Sequence, residues 1–165
     1  MNKNKLLILG AGEYGHLVKE IAKDSFETID FLDDNSKLAI GKLCDYKNFV
    51  KRYECAIVAI GNSATRMFWL DKLEQAGYFV PPLVSCLAFV SPSSKIGAGC
   101  LIEPMAVVNS NVVIEKGTII SSGAIVNHNS TIKSGCHIDC NAVVGADVIV
   151  LEGTHLNYGC VIKNS

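Results

Sequence analysis

The chain has 165 residues, of which 49% are hydrophobic and 19% are charged, and its formal net charge is −1. This composition supplies enough apolar side chains for one ordinary domain or two small ones, and it excludes an intrinsically disordered chain. The charges are balanced and no long run of Lys or Arg occurs, so we expect neither a nucleic-acid partner nor an anionic membrane partner.

The first predicted element is a short apolar strand, Lys5–Leu9, that runs into a glycine loop. It is too short for a signal-peptide core, and no apolar run in the chain approaches the roughly 18 residues of a membrane-spanning helix. We therefore expect a cytoplasmic protein without membrane insertion. The seven cysteines agree with this, because an odd number without a secretion signal favours free thiols over a disulfide framework.

The loop after this strand carries Gly10, Gly12 and Gly15 in the pattern Gly-x-Gly-x-x-Gly, and a helical pattern follows from His16 to about Lys23. A glycine loop between a strand and a helix lets backbone N–H groups approach a phosphate at the helix N-terminus. The pattern predicts a nucleotide-binding turn. The alternative is that the glycines only shape a tight turn.

Polar turns follow the next two predicted strands, which cover residues 29–32 and 55–60. The four turn residues are Asp33, Asp34, Gly61 and Asn62. Strands that alternate with helices predict a small Rossmann-like parallel sheet, whose ligands bind beyond the carboxyl ends of the strands. We expect these turns to lie beside the glycine loop and to bind a nucleotide, with Asp33 contacting the ribose or base. A segment of residues 1–85 is too short for the two halves of a dinucleotide site.

The second half of the chain has a six-residue repeat. Every sixth residue from position 90 is Val, Ile or Leu: Val90, Ile96, Ile102, Val108, Ile114, Ile120, Val126, Ile132, Ile138, Val144, Val150, Leu156 and Ile162. A second column, two residues earlier, is small or β-branched from Ala88 to Cys160. Three short strands per 18-residue coil, stacked at about 4.8 Å, would place both columns inside. The repeat predicts a parallel β-helix with all thirteen aliphatic residues buried.

The segment Cys136-His137-Ile138-Asp139-Cys140 has the composition of a metal-binding motif. Cys136, however, falls in the small-residue column and should point into the helix, away from His137 and Cys140. A zinc site needs convergent ligands. We therefore predict no metal site.

A glycine-loop α/β domain fused to a six-residue-repeat β-helix resembles the nucleotide-sugar acyltransferases of bacterial glycan synthesis. These include UDP-amino-sugar N-acetyltransferases and sialic acid O-acetyltransferases. The resemblance implies a Rossmann-like domain over residues 1–85, a left-handed β-helix over residues 86–165, and a homotrimer. It also implies that the three polar turns bind a UDP-sugar.

The resemblance further implies roles for three histidines. His128 matches the family's catalytic base, which takes a proton from the attacking sugar group, and Asn129 stands where the family has an acidic partner. An amide carries no charge, so we expect a weaker base than a carboxylate partner would give. His137 matches a residue on the acetyl-CoA side, and His155 lies 18 residues further, in the same surface column.

The family usually continues for another coil and a tail that borders acetyl-CoA, whereas this sequence ends at Ser165 within the repeat. Two functions therefore remain open. The first is acetyl-CoA-dependent acetylation of a UDP-linked amino sugar. The second is a weakly active or inactive homologue that binds the nucleotide-sugar but lacks part of the acyl-CoA site. A purely structural β-helix would leave the polar turns of the first half without a purpose.

Overall fold

The computed structural model describes residues 5–164, and the chain divides into two compact units between Pro81 and Pro82. The sequence placed this boundary after residue 85. The difference arises because Leu83–Val84 pairs with Leu101–Ile102 as part of the β-helix. No helix within the described residues is long and apolar enough to cross a membrane.

The first unit is a small parallel sheet with helices. Its elements in the described residues are β1 (Lys5–Leu9), α1 (Glu13–Ala22), β2 (Thr28–Leu32), β3 (Ala39–Gly41), a 3₁₀ helix (Leu43–Phe49), β4 (Cys55–Val58) and α2 (Ser63–Gln75). The strand order is β3-β2-β1-β4, and all pairs are parallel. The sequence did not predict β3 or the 3₁₀ helix, because so short an element shows no hydrophobic period.

Strand β1 lies at the centre of this unit. Its residues Leu6, Leu7, Ile8 and Leu9 are fully buried, as in parallel sheets that are covered on both faces. Leu7 and Leu9 pack in one cluster with Val58 of β4 and with Leu70 and Leu73 of α2. Full burial of each leucine stabilises the fold by about 1.5–3 kcal/mol.

The second unit is a parallel β-helix of two-residue strands. In chain order they are β5 (Leu83–Val84), β6 (Phe89–Val90), β7 (Lys95–Ile96), β8 (Leu101–Ile102), β9 (Val107–Val108), β10 (Val113–Ile114), β11 (Ile119–Ile120), β12 (Ile125–Val126), β13 (Thr131–Ile132), β14 (His137–Ile138), β15 (Val143–Val144), β16 (Ile149–Val150), β17 (His155–Leu156) and β18 (Val161–Ile162). Each pairs with the strand 18 residues away, which builds three sheets: β5-β8-β11-β14-β17, β6-β9-β12-β15-β18 and β7-β10-β13-β16. The predicted coil length is confirmed.

The interior of the β-helix contains the predicted aliphatic column. Nine of its thirteen members are buried: Ile102, Val108, Ile114, Ile120, Val126, Ile132, Ile138, Val144 and Val150. The other four are only partly buried and pack against this core: Val90, Ile96, Leu156 and Ile162. The prediction that all thirteen are buried is therefore wrong at both ends, where a coil has a neighbour on one side only.

One outer surface of the β-helix is apolar from coil to coil. The sheet of β6, β9, β12, β15 and β18 aligns five apolar residues in the positions that alternate with the interior column: Phe89, Val107, Ile125, Val143 and Val161. The three central residues are half-buried, and Phe89 and Val161 are 56% and 66% exposed. We call this surface the apolar face. The corresponding positions of the β7-β10-β13-β16 sheet are more polar, with Lys95 and Thr131 among them.

Candidate active site

The three polar turns of the first unit meet at one edge of its sheet. The N–H of Gly10, after β1, donates to the Leu32 carbonyl of β2 at 2.9 Å, and the N–H of Ala59, after β4, donates to the Leu9 carbonyl at 2.8 Å. The carboxyl ends of β1, β2 and β4 are therefore adjacent. This arrangement brings the glycine loop, Asp33 and Gly61 to one edge.

The four glycines at this edge fall into two kinds. Gly10 has a φ of +106°, and a Cβ added to it would lie 2.7 Å from the Ala59 carbonyl oxygen; a Cβ on Gly15 would lie 2.2 Å from the Gly10 carbonyl oxygen. Both positions therefore exclude a side chain, which shapes the loop. Gly12 and Gly61 are exposed, and a Cβ there would meet no atom within 4 Å. Their backbone is open to a ligand.

Asp33 holds the glycine loop in place. Its Oδ2 accepts a hydrogen bond from the Ala11 N–H at 2.8 Å, and its Oδ1 accepts from the N–H groups of Asn35 and Ser36 at 2.9 Å. The bond from Ala11, followed by that from Asn35, lowers the pKa of Asp33 below its ordinary value. Asp33 is thus a clamp between two turns, and a direct contact with ribose or base stays a prediction.

The other polar turn residues also bond to backbone. Asp34 accepts from the N–H of Leu43, and Asn62 caps α2 by accepting from the N–H and hydroxyl of Thr65, both at 2.9 Å. Arg66 is fully buried and donates to the carbonyl oxygens of Ile60 and Gly61 at 3.0 and 2.6 Å. This role of Arg66 was not predictable from the sequence, because an arginine in a helix usually reaches solvent.

His128 lies two residues beyond β12, in the corner that follows the apolar face. Its side chain is exposed, and the imidazole makes no hydrogen bond to any residue in the range 5–164 that the structure describes. Its carbonyl accepts from the N–H of Asp147, and the N–H of Asn129 donates to Ser110, which holds this corner in register with the coils on both sides. A fixed backbone with a free imidazole suits a proton acceptor.

The side chain of Asn129 forms hydrogen bonds to neighbouring coils and, within the described residues, none to His128. Asn129 has a left-handed φ of +61°, which asparagine tolerates better than most residues. Its Oδ1 accepts from Asn111 Nδ2 at 3.2 Å, and its Nδ2 donates to Asp147 Oδ1 at 3.0 Å. The amide is thus one rung of a ladder along the coils, and its catalytic role stays a prediction.

We expect Asn129→Asp to destabilise the β-helix by about 1 kcal/mol at neutral pH, instead of strengthening the base. The new carboxylate would face Asp147 in place of the amide donor, and like charges raise the pKa of such a pair in the folded state. Because the pKa is raised in the folded state, the loss of folding stability caused by Asn129→Asp becomes smaller as the pH falls toward about 4. Urea unfolding at both pH values measures this. Glycine tolerates positive φ and adds no charge, so Asn129→Gly should show no such pH dependence. An equal pH dependence in both variants would contradict the hydrogen bond between Asn129 and Asp147.

His137 and His155 stack in one column, as expected. Their ring centroids are 4.7 Å apart and their planes differ by 2°. Nε2 of His137 lies 3.0 Å from the Ser121 hydroxyl, and Nε2 of His155 lies 3.0 Å from Asp139 Oδ2. Ser121 in turn donates to Glu103, which is buried, as Asp139 is. Glu103, Ser121 and Asp139 were not predicted as site residues, although each directly follows a residue of the interior column and they are spaced 18 residues apart.

The same cluster bears on metal binding. The ligand atoms of His137, Asp139 and His155 all lie within 4.8 Å of one another, whereas Cys136 is fully buried. An imidazole lone pair lies in the ring plane, so parallel rings 4.7 Å apart do not direct both lone pairs to one ion at about 2.0–2.1 Å. The geometry favours a hydrogen-bonded histidine pair, and the absence of a metal site stays a prediction.

Both units match known families. Residues 5–73 match the PglD N-terminal domain, and residues 93–128 match the bacterial transferase hexapeptide family of six repeats. These matches cover the glycine loop with its neighbouring turns and the β-helix up to His128.

Solved structures match nearly the whole chain. The acetyltransferase domain of PglB from Neisseria gonorrhoeae FA1090 is 27% identical with a TM-score of 0.82, over 97% of this chain and 85% of that chain. The same domain in complex with acetyl coenzyme A is 26% identical with a TM-score of 0.82, over 98% and 94%. PerB from Caulobacter crescentus, solved with CoA and GDP-perosamine, is 19% identical with a TM-score of 0.69, over 93% and 91%, which shows a shared fold.

A small Rossmann-like parallel sheet followed by a left-handed β-helix of hexapeptide repeats defines a class of acyltransferases, and the predicted fold class is confirmed. The resemblance of this chain to the hexapeptide-repeat nucleotide-sugar acetyltransferases is thereby confirmed. The expectation that it is an acyltransferase is likewise confirmed.

Proposed function

We propose that this chain transfers the acetyl group of acetyl-CoA to an amino group of a UDP-linked sugar in the cytoplasm. The observation that carries the proposal is the exposed His128, whose imidazole forms no hydrogen bond with residues 5–164, in a chain that is 27% identical to the PglB acetyltransferase domain over 97% of its length. No disulfide links the seven cysteines, all of which lie within the described residues, and this suits a reducing compartment. Hydroxyl acceptors remain the alternative to an amine within the same chemistry.

The proposed chemistry needs one proton acceptor. The neutral amine attacks the thioester carbonyl, and His128 takes the proton that the nitrogen loses as the new C–N bond forms. The tetrahedral intermediate collapses, the C–S bond breaks, and the imidazolium returns the proton to the departing thiolate of CoA. Imidazole is suited to both steps because it gains and loses a proton near neutral pH.

The proposed nucleotide site is the edge where the three polar turns meet. Gly12 and Gly61 leave their backbone open, so their N–H groups are the proposed contacts for the diphosphate. Gly10 and Gly15 shape the loop, and Asp33, Asp34 and Asn62 hold the turns by the hydrogen bonds described above. We therefore assign Gly12 and Gly61 to direct contact with the substrate, and we assign the other residues to holding the loop and turns in the binding conformation.

The apolar face supports the proposal of a homotrimer. Five aligned apolar side chains on a solvent-facing surface are unusual for a monomer. Contact with the β-helix of another copy of the chain would remove them from water. His128 follows directly after this face. A neighbouring subunit would then border the catalytic corner, with His137 and His155 on the acetyl-CoA side.

Calorimetry with UDP and GDP tests the nucleotide assignment. We expect UDP to bind more tightly than GDP, and we expect Gly61→Val to weaken binding at least tenfold, because the new side chain occupies open space at the edge. Gly61 has no neighbour within 4 Å of its Cβ direction, so the melting temperature should not change. Equal UDP affinity of the wild-type protein and Gly61→Val, with both folded, would contradict a nucleotide site at this edge.

A further inference from the structure

A buried cation lies beneath the turn between β4 and α2. Arg66 is fully buried, although arginine is among the residues that are least often removed from water. Its guanidinium keeps its proton in a protein, so a positive charge is buried at this position. That burial costs free energy unless hydrogen bonds compensate for it. The hydrogen bonds of Arg66 therefore indicate its role.

Three consecutive carbonyl groups of the turn accept hydrogen bonds from Arg66. Its Nη1 donates to the carbonyl oxygens of Ile60 and Gly61 at 3.0 and 2.6 Å. Its backbone N–H donates to the carbonyl oxygen of Asn62 at 2.9 Å. The side chain reaches back to the turn because Arg66 is the fourth residue of α2, and side chains on a helix tilt toward its N-terminus.

The inward carbonyl groups set the direction of two backbone N–H groups. In a planar trans peptide, the N–H points opposite to the C=O. Because the carbonyls of Ile60 and Gly61 face the guanidinium, the N–H groups of Gly61 and Asn62 point away from it. Both of these residues are exposed, and neither N–H donates to another group within residues 5–164. The turn thus presents two adjacent hydrogen-bond donors that the described part of the fold does not use.

The connection between β4 and α2 does not itself require this arrangement. Carbonyl groups in an exposed turn can bond to water, which needs no buried donor. Capping of α2 does not require it either, because the Asn62 side chain already accepts from Thr65. A cation that bonds to a carbonyl polarises the peptide unit, and its N–H becomes a stronger donor. Two such N–H groups are suited to an anion.

We propose that Arg66 is a positioning residue that directs the N–H groups of Gly61 and Asn62 toward the diphosphate of the nucleotide substrate. This inference rests on the proposed function, to which it adds a second donor and the residue that orients both. Arg66 itself lies beneath the turn and does not touch the ligand. Its effect should therefore be confined to ligands that carry phosphate groups.

Arg66→Met tests this role, because methionine keeps the unbranched apolar stem and donates no hydrogen bond. Without the guanidinium, the carbonyls of Ile60 and Gly61 can turn toward water, and both N–H groups lose their direction. We expect calorimetry to show a UDP affinity that is lower by roughly tenfold or more, the effect of lost hydrogen bonds to a charged group. The KM for the UDP-sugar should rise by a similar factor with little change in kcat.

Uridine separates positioning from general loosening of the turn. This ligand has no phosphate, so the wild-type protein and Arg66→Met should bind it equally, as measured by ligand-observed NMR. Arg52→Met is the matched control. Arg52 is exposed in the same unit, and its variant loses the same charge, so it should keep the UDP affinity of the wild type.

Arg66→Lys provides the same measurement if Arg66→Met does not fold. Lysine keeps the positive charge, but its shorter side chain lacks the planar fork that bonds to two carbonyls at once. We expect this variant to lose UDP affinity by about threefold to tenfold, again with no change for uridine.

The outcomes distinguish this inference from the proposed function. UDP affinities within about twofold of the wild type in the folded Arg66 variants would overturn the positioning role and leave the nucleotide site in place. Equal losses for UDP and uridine would also overturn it, since Arg66 would then only stabilise the turn. If the wild-type protein bound no UDP, the proposed function and this role would both fall.

Discussion

Replacement of His128 by alanine should lower kcat by about 10²–10⁴-fold, the usual contribution of a positioned general base. The imidazole is exposed and unbonded in the described residues, so its loss removes a proton acceptor without leaving a buried partner unpaired. The melting temperature should therefore not change. Steady-state kinetics at saturating acetyl-CoA and UDP-sugar measures the effect.

Ser110→Ala is the matched control for this experiment. Ser110 is exposed and lies one coil before His128 in the same outer column. Its variant should keep kcat within about twofold, as expected for a surface change without a catalytic role. A kcat for His128→Ala equal to that of Ser110→Ala would remove His128 from the mechanism.

Introduction of an aspartate at the centre of the apolar face should prevent trimer formation. Ile125 is half-buried in the isolated chain and aligns with Val107 and Val143 on the neighbouring coils. In a trimer the new carboxylate would be buried without a partner, and that cost, several kcal/mol for each subunit, exceeds what a small interface can absorb. Light scattering at micromolar concentration should show a monomer for Ile125→Asp, and kcat should fall at least tenfold because the site borders a second subunit in the proposed trimer.

Val113→Asp provides the comparison. Val113 is also half-buried in an outer position of a central coil, but it belongs to the sheet of β7, β10, β13 and β16. This variant should remain a trimer with near-normal activity. A wild-type monomer, or dissociation caused equally by both substitutions, would contradict an interface on the apolar face.

The sequence was sufficient for the β-helix and its register, because each coil repeats the same steric requirement and the thirteen aliphatic positions record it directly. Burial at the two ends was overestimated, since a periodic pattern does not say which coils have a neighbour on both sides. Handedness came from the family resemblance and not from the six-residue spacing. Strand β3 was missed because three residues are too few to show a period.

The candidate site was predicted less completely than the fold. The glycine pattern identified the loop, but only the structure separates Gly12, whose backbone is open, from Gly15, which is packed against Gly10. Likewise, the family resemblance implied that Asn129 is a partner for His128, whereas hydrogen bonds to neighbouring coils occupy its amide. Side-chain direction depends on contacts 18 residues away, and a local motif does not contain them.

The most direct test of the central claim is acetyl transfer by the purified chain. Acetyl-CoA is incubated with a UDP-linked amino sugar, and free CoA and the mass of the sugar nucleotide are followed together. We expect one CoA released for each acetyl group gained by the UDP-sugar, and we expect the His128→Ala variant to lose both signals. Binding of the UDP-sugar without any transfer by the wild-type protein, at saturating acetyl-CoA, would contradict the account and support the inactive homologue.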